Sequence, residues 1–243
     1  MLESHCPGAT VIPVLVSSDK TQLTLFRNKM AYLIYLTIGN IPKDICRKPS
    51  CHAHFLIGYI PVTKLTGIGT KAAHCCGLAN LFHGCIRYVL DLISYYGETG
   101  IPMMSSDSVW RRCHPIFANF IGDYPEQSLV TCTYGGQCPK CEVLRDQLGE
   151  YKVFPRRVQA MAIKTYILAN TNTHQFHCAC HEAELKPICD PFWERLPLAD
   201  IFLLITPDIL HQLLQGMVKH LIRWLIEIFG PGEIDMHTHQ TYC

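Results

Sequence analysis

Long apolar runs are missing from this 243-residue chain: no stretch of eighteen or more uncharged apolar residues occurs, and no basic segment leading into an apolar one opens it. Those absences argue against a membrane-spanning helix and a secretory leader. A surplus of one charge is missing too. The 21 Lys+Arg nearly cancel the 20 Asp+Glu, so no global field advertises nucleic acid, and any DNA-binding surface has to be a local patch. What the chain has in unusual number is cysteine, with 14 residues scattered through a sequence that is 49% hydrophobic. That is far from the dense spacing of a small disulfide-stapled domain, and it argues for reduced thiols in an intracellular setting. The length suffices for a sizeable core, as one large domain or a domain carrying an insertion.

The hydrophobic pattern predicts an α/β chain. Val11 to Val16 reads as a buried strand, with Pro13 marking an edge or a bulge and Ser17, Ser18 and Asp19 forming the turn after it. Leu23 to Phe26 and Tyr32 to Ile38 look like an antiparallel hairpin, and His54 to Ile60 like a further strand. From Lys71 to Tyr95 apolar residues recur at helical spacing, although Gly77 and Gly84 leave that helix dependent on packing. His114 to Ile121 is strand-like again and ends in Gly122 and Asp123. Cys132 to Pro191 is rich in Cys, His and polar residues with little periodicity, and reads as an insertion or subdomain. Thr206 and Pro207 make a helix start, and Leu210, Leu213, Leu214, Met217, Leu221, Leu225 and Phe229 form an apolar stripe ending at Gly230. The expected layout is a disordered N-terminus over 1–10, a core over 11–130, a Cys/His-rich insertion over 131–195, a helical region over 196–232 and a frayed tail over 233–243.

Two groups of residues could carry chemistry. Asp19 and Asp123 follow strands expected to share a sheet, so their carboxylates can meet, and hard oxygen ligands on rigid strands suit a pair of Mg²⁺ ions in phosphodiester cleavage. The plainer reading is that each caps a turn. Cys138 and Cys141 have the two-residue gap that lets two thiolates bind one Zn²⁺, which is half a site. His211, one helical turn from Asp208, is the first candidate to complete it, with Cys178, Cys180 and His181 as rivals. Asp208 itself suits the first turn of a helix electrostatically. The basic residues Lys20, Arg27, Lys29, Lys43, Arg47, Lys48, Arg111 and Arg112 precede or follow the acids in sequence and could contact phosphates, or be ordinary solvated surface.

Six segments carry a family resemblance. Ile12-Pro-Val-Leu-Val-Ser-Ser-Asp-Lys-Thr-Gln-Leu23, Tyr35-Leu-Thr-Ile-Gly-Asn-Ile-Pro-Lys-Asp44, Cys113-His-Pro-Ile-Phe117 with Gly122-Asp-Tyr-Pro-Glu-Gln127, Cys138-Pro-Lys-Cys141, Pro191-Phe-Trp-Glu194 and Thr206-Pro-Asp-Ile-Leu-His-Gln212 occur in this order. Together they resemble consecutive blocks of Plavaka transposases, relatives of the CACTA group in mushroom-forming fungi. The resemblance implies a ribonuclease-H-like mixed sheet with a zinc-knuckle-like insertion, and a nuclear enzyme that cuts and joins DNA with Mg²⁺ or Mn²⁺. It gives Asp19 and Asp123 the first two metal-ligand positions, favours His211 as partner of Cys138 and Cys141 for Zn²⁺, and leaves Asp208 as a candidate third acid. The partners implied are transposon-end DNA and further copies of the protein, with no membrane. Relatives usually take the third acid from a later segment, so this chain is expected to be an incomplete catalytic core. Alternatives are a domesticated DNA-binding or interaction protein without nuclease activity, a zinc-binding interaction module, and the product of a decayed gene. Cys51, His52 and the His74-Cys75-Cys76 triplet stand where the family pattern leads one to expect arginines or similar polar residues, consistent with deamination of arginine codons.

Overall fold

The computed structural model describes residues 8–24 and 30–231. The chain divides into two compact units, Met1–Thr206 and Pro207–Cys243.

In the first unit, five strands form one mixed sheet in the order β3-β2-β1-β5-β4. β1 (Thr10–Gln22), β2 (Met30–Ile38) and β3 (Phe55–Ile60) make an antiparallel meander, with a helical turn, α1 (Lys43–Cys46), between the last two. After helix α2 (Lys71–Thr99), β4 (Ile101–Met104) turns back into β5 (Trp110–Ile121), which runs parallel to β1. The expected strands over 11–16, 32–38, 54–60 and 114–121 and the long helix are present, β4 is additional, and the antiparallel partner of β2 is β1 itself, over Val14–Gln22. Leu23 and Thr24 lie outside any strand, and the rest of the expected first hairpin arm falls outside the described residues.

Two local details set the buried face. Val14 pairs with Phe117 and Leu15 with Asn119, so Ala118 is an extra residue in β5, a bulge that lets Phe117 and Phe120 both face inward beside Val14 and Val16. Pro13 adjoins this bulge, as expected. The edge alternative does not hold, because β1 is the central strand, flanked by β2 and β5. At the other end of α2, Gly100 adopts a φ of +71°, and a Cβ there would fall 2.6 Å from Arg112 Cγ and 2.7 Å from His114 Nε2. Only glycine lets the chain turn this tightly from α2 into β4.

Helix α2 starts at Thr70, whose hydroxyl accepts the Ala73 amide at 3.2 Å, and lays Ala79, Phe82, His83, Ile86 and Leu90 on the sheet. These spacings form one stripe of a 3.6-residue helix, and their packing offsets the low helicity of Gly77 and Gly84.

The cysteine-rich stretch is not a separate body. Its helices α4 (Gln159–Ile167) and α5 (Thr173–Glu182) bring Tyr166, Phe176 and Cys180 into the same core as the sheet. Phe192 and Trp193 close that core. Trp193 is fully buried, and its indole N–H donates to the Val130 carbonyl at 2.8 Å. The boundary between the two compact units falls after Thr206.

In the second unit a ten-residue π-helical segment, Ile209–Val218, runs into α6 (Lys219–Phe229), which Gly230 ends at φ +81°. Asp208, rather than Thr206, is the N-cap: its carboxylate accepts the His211 amide at 3.0 Å. The expected tail 233–243 and the first seven residues lie outside the described residues.

Candidate functional site

The shared end of β1 and β5 gathers the acids. Ser17 is the last β1 residue paired with β5, opposite Ile121. Asp19 and Asp123 each lie two residues further on, on adjacent parallel chains that run about 4.8 Å apart. The polar Ser17-Ser18-Asp19 segment is not a turn, because β1 continues to Gln22 and Asp19 pairs with Leu33 of β2. Alternation then puts Ser18 on the buried face with Val14 and Val16 and turns Asp19 to the other, exposed face. There Thr21 Oγ1 donates to Asp19 Oδ2 at 2.6 Å.

Asp123 caps helix α3 (Tyr124–Val130), with Oδ1 accepting the Glu126 amide at 3.0 Å and Pro125 in the first turn. Asp followed three residues later by Glu is the pattern of a capping box, in which the glutamate would reach back to the cap's own amide. Here it goes elsewhere. Glu126 Oε2 accepts from Ser18 Oγ at 2.6 Å, and Oε1 accepts from Tyr32 Oη at 2.5 Å. Gly122 makes room, since a Cβ on it would stand 2.8 Å from Glu126 Cβ.

Burial pushes the Glu126 carboxyl above its ordinary value; the two hydroxyls oppose the shift, and the charges of Asp123 and Asp19 add to it. The Tyr32 phenol is likewise raised, by burial first and then by Glu126, so it remains the donor. Beside this cluster opens a cleft of about 330 Å³ bordered by Lys20, Tyr32, Glu126 and Lys186. Glu126, Ser18 and Tyr32 were not singled out by sequence. The one signal was the Asp-Tyr-Pro-Glu spacing, which points to the cap and not to partners 94 and 108 residues away.

Under the last turn of α3 sits His83, fully buried. Its Nε2 lies 3.0 Å from the Leu129 carbonyl of α3, and its Nδ1 accepts the Phe192 amide at 3.4 Å. Burial pulls its pKa down to about 4, so the ring is neutral at pH 7.

The basic candidates divide. Lys20 is at the acidic end. Lys43, Arg47 and Lys48 follow β2, whose end pairs with Val14 in the early part of β1, and Arg111 and Arg112 open β5. These five occupy the opposite end of the sheet, and β5 alone separates Arg112 from Asp123 by roughly 35 Å. They do not flank the acids. Arg111 is engaged by Asp107 through two bonds of 2.8 and 2.7 Å, and Arg47 lies 3.9 Å from Asp44. Arg27 and Lys29 lie outside the described residues.

Cys138 and Cys141 sit in a turn held by residues 155–157: the Arg157 amide donates to Lys140 O at 2.9 Å, and Arg157 Nε donates to Cys138 O at 3.0 Å. Cys138 Sγ accepts the Lys140 amide at 3.4 Å. Burial and then the Cys138 thiol push Cys141 up to about 11, opposed by the Val143 amide. Two adjacent thiols, each met by an amide two residues on, are a donor set that suits a thiophilic cation. Of the rivals, Cys180 is buried in the core while Cys178 is exposed and 3.8 Å from His174 Nδ1, so α5 points them apart. In the second unit His211 Nδ1 lies 2.8 Å from Asp208 Oδ2. Among the described residues no three Cys, His, Asp or Glu side chains group closely enough to hold a metal, and all twelve cysteines are free thiols. No described helix is long and apolar enough to cross a membrane.

These features define a mixed α/β protein with aspartates at the common end of its parallel central strands. The Plavaka transposase family model matches residues 1–225, and the chain belongs to that family. A search of curated proteins gives no match.

Proposed function

We propose that this chain is the catalytic-core portion of a cut-and-paste DNA transposase, with a ribonuclease-H-like sheet and an acidic end built to hold Mg²⁺ or Mn²⁺. The observation that carries the proposal is the register of β1 and β5, which brings Asp19 and Asp123 to one end of neighbouring strands. The sheet order, an antiparallel meander followed by a helix and a strand parallel to β1, supports the same reading. Asp19 is exposed and Asp123 commits one oxygen to its cap, so both carboxylates can ligate a hard cation. A divalent ion held there would polarise a phosphodiester and lower the pKa of attacking water. Asp19 and Asp123 would hold the ion, and exposed Lys20, next to Asp19 in β1, would supply positive charge for a phosphate.

Asp19 and Asp123 are two of the three acids such chemistry uses. Asp208 is satisfied as a helix cap and by His211, which makes it the weakest of the three candidates. Strand transfer by this chain alone is therefore expected to be slow or absent. Cys138 and Cys141 are proposed as half of a structural Zn²⁺ site, and a nuclear location follows from the DNA substrate.

The test combines Mn²⁺ titration with a supercoiled-plasmid nicking assay. Mn²⁺ uptake abolished by Asp19→Asn and by Asp123→Asn is the expected result; uptake indifferent to both substitutions would overturn the reading. Salt-sensitive DNA affinity without metal uptake would instead identify a DNA-binding relative that lacks the nuclease.

A further inference from the structure

We propose that Glu126 is a positioning residue that fixes Asp19 and Asp123 with respect to one another; the inference rests on the metal-binding reading of those two acids. Glu126 is joined to both sides of the site at once. Its backbone amide holds Asp123 Oδ1 at 3.0 Å, which sets the rotamer of that carboxylate. Its own carboxylate receives Ser18, the residue before Asp19, at 2.6 Å. The second oxygen receives Tyr32 of β2 at 2.5 Å, and Tyr32 pairs with Lys20, the residue after Asp19. The backbone on each side of Asp19 is thus tied to one side chain, and the cap of Asp123 to the same residue.

This arrangement differs from ordinary capping. A glutamate at this helix position normally returns to the cap residue, and its bonds then stay within one turn. Here the side chain spans from α3 to β1 and β2, and Gly122 is needed to let it pass. Both carboxylate oxygens are occupied by hydroxyl donors, so Glu126 is spoken for as an acceptor and is not offered as a ligand. Groups that orient metal ligands without touching the ion typically change metal affinity 10–100-fold when removed.

The experiment uses the full chain, with Mn²⁺ as probe, isothermal titration as readout of affinity, and amide hydrogen exchange as readout of order over residues 17–22 and 122–125. Glu126→Ala is expected to weaken Mn²⁺ binding about 10–100-fold and to speed exchange in both segments together. Glu126→Gln keeps an acceptor and a donor of the same reach, both of which hydroxyls can satisfy, and is expected to stay within about threefold of wild type. Should Glu126→Ala unfold the chain, Ser18→Ala and Tyr32→Phe remove one bond each and are expected to give several-fold losses with exchange rising around Asp19. Unchanged affinity and exchange in these variants would overturn the proposal. So would Glu126→Gln falling as far as Glu126→Ala, which would make the Glu126 charge itself part of the metal site. If wild type takes up no Mn²⁺, the metal reading fails on its own, and coupled exchange in the two segments still decides whether Glu126 joins them.

Discussion

The two ends of the central sheet place charge in opposite ways. At the end where β5 begins, charged side chains stand in solvent: Arg111 pairs with Asp107 inside one hairpin, and Lys43, Arg47 and Lys48 are exposed beyond β2. At the end where β5 finishes, Asp19 and Lys20 are exposed, but the other charged or titratable groups are knitted into the fold. Asp123 starts a helix, Glu126 is drawn under β1 and β2, and His83 lies neutral beneath α3. Exposed pairs are screened and contribute little, whereas partly buried polar groups cost several kcal/mol if a partner is lost. The lesson is that polar groups at the acidic end are fixed by partners from three elements, whereas those at the basic end stand in solvent with local partners only.

Breaking this contrast should have graded effects. The largest belongs to the acids: Asp19→Asn and Asp123→Asn should each cost more than about 100-fold in Mn²⁺ affinity, beyond the loss for supporting partners, while Arg112→Ala costs none; calorimetry decides. Next comes acid pH. With its folded pKa depressed to about 4 against an ordinary 6.5, His83 binds its proton more readily in the unfolded chain. Its contribution is complete above about pH 6.5 and is lost as pH falls towards 4, on the order of 3 kcal/mol in all. Urea unfolding of wild type and His83→Gln at pH 7 and pH 4.5 reads this, with the variant expected to show the shallower dependence.

At the basic end, replacing Lys43, Arg47 and Lys48 together by alanine should flatten the slope of log K against log salt for duplex DNA by about 2–3, with Mn²⁺ affinity unchanged. A fluorescence anisotropy series at several salt concentrations measures it. The smallest effect compares two aspartates. Asp123→Ala should destabilise by about 1 kcal/mol through loss of the helix cap, while Asp107→Ala should leave the melting temperature within about a degree.

Much of this sheet was legible because alternation and apolar periodicity are local signals. Val14, Val16 and Ile34 marked β1 and β2, and the Ala79 to Leu90 stripe marked α2. The acids stood out as residues following strands. Three things were hidden. Ser17, Ser18 and Asp19 look like a turn by composition, yet β2 pairing with Tyr35, Ile34 and Leu33 holds them extended. Ile101–Met104 carries Pro102 and is only four residues long, too short for alternation to emerge. The Glu126 contacts depend on residues about a hundred positions away, which no local spacing encodes. The capping site Asp208 was visible as an acid in a first turn but displaced by the Thr206-Pro207 start signal; its bond to the His211 amide decided the matter.

The burial of Trp193 has a practical corollary for anyone dividing this protein. Its indole is fastened to the last turn of α3, and Phe192 packs against Phe117, Phe120 and His83. A fragment cut at residue 130 would lose the lid over those rings and present an open aromatic floor to solvent, inviting aggregation. The smallest piece suited to expression therefore reaches through Thr206, and the cysteine-rich stretch travels with the strands it roofs.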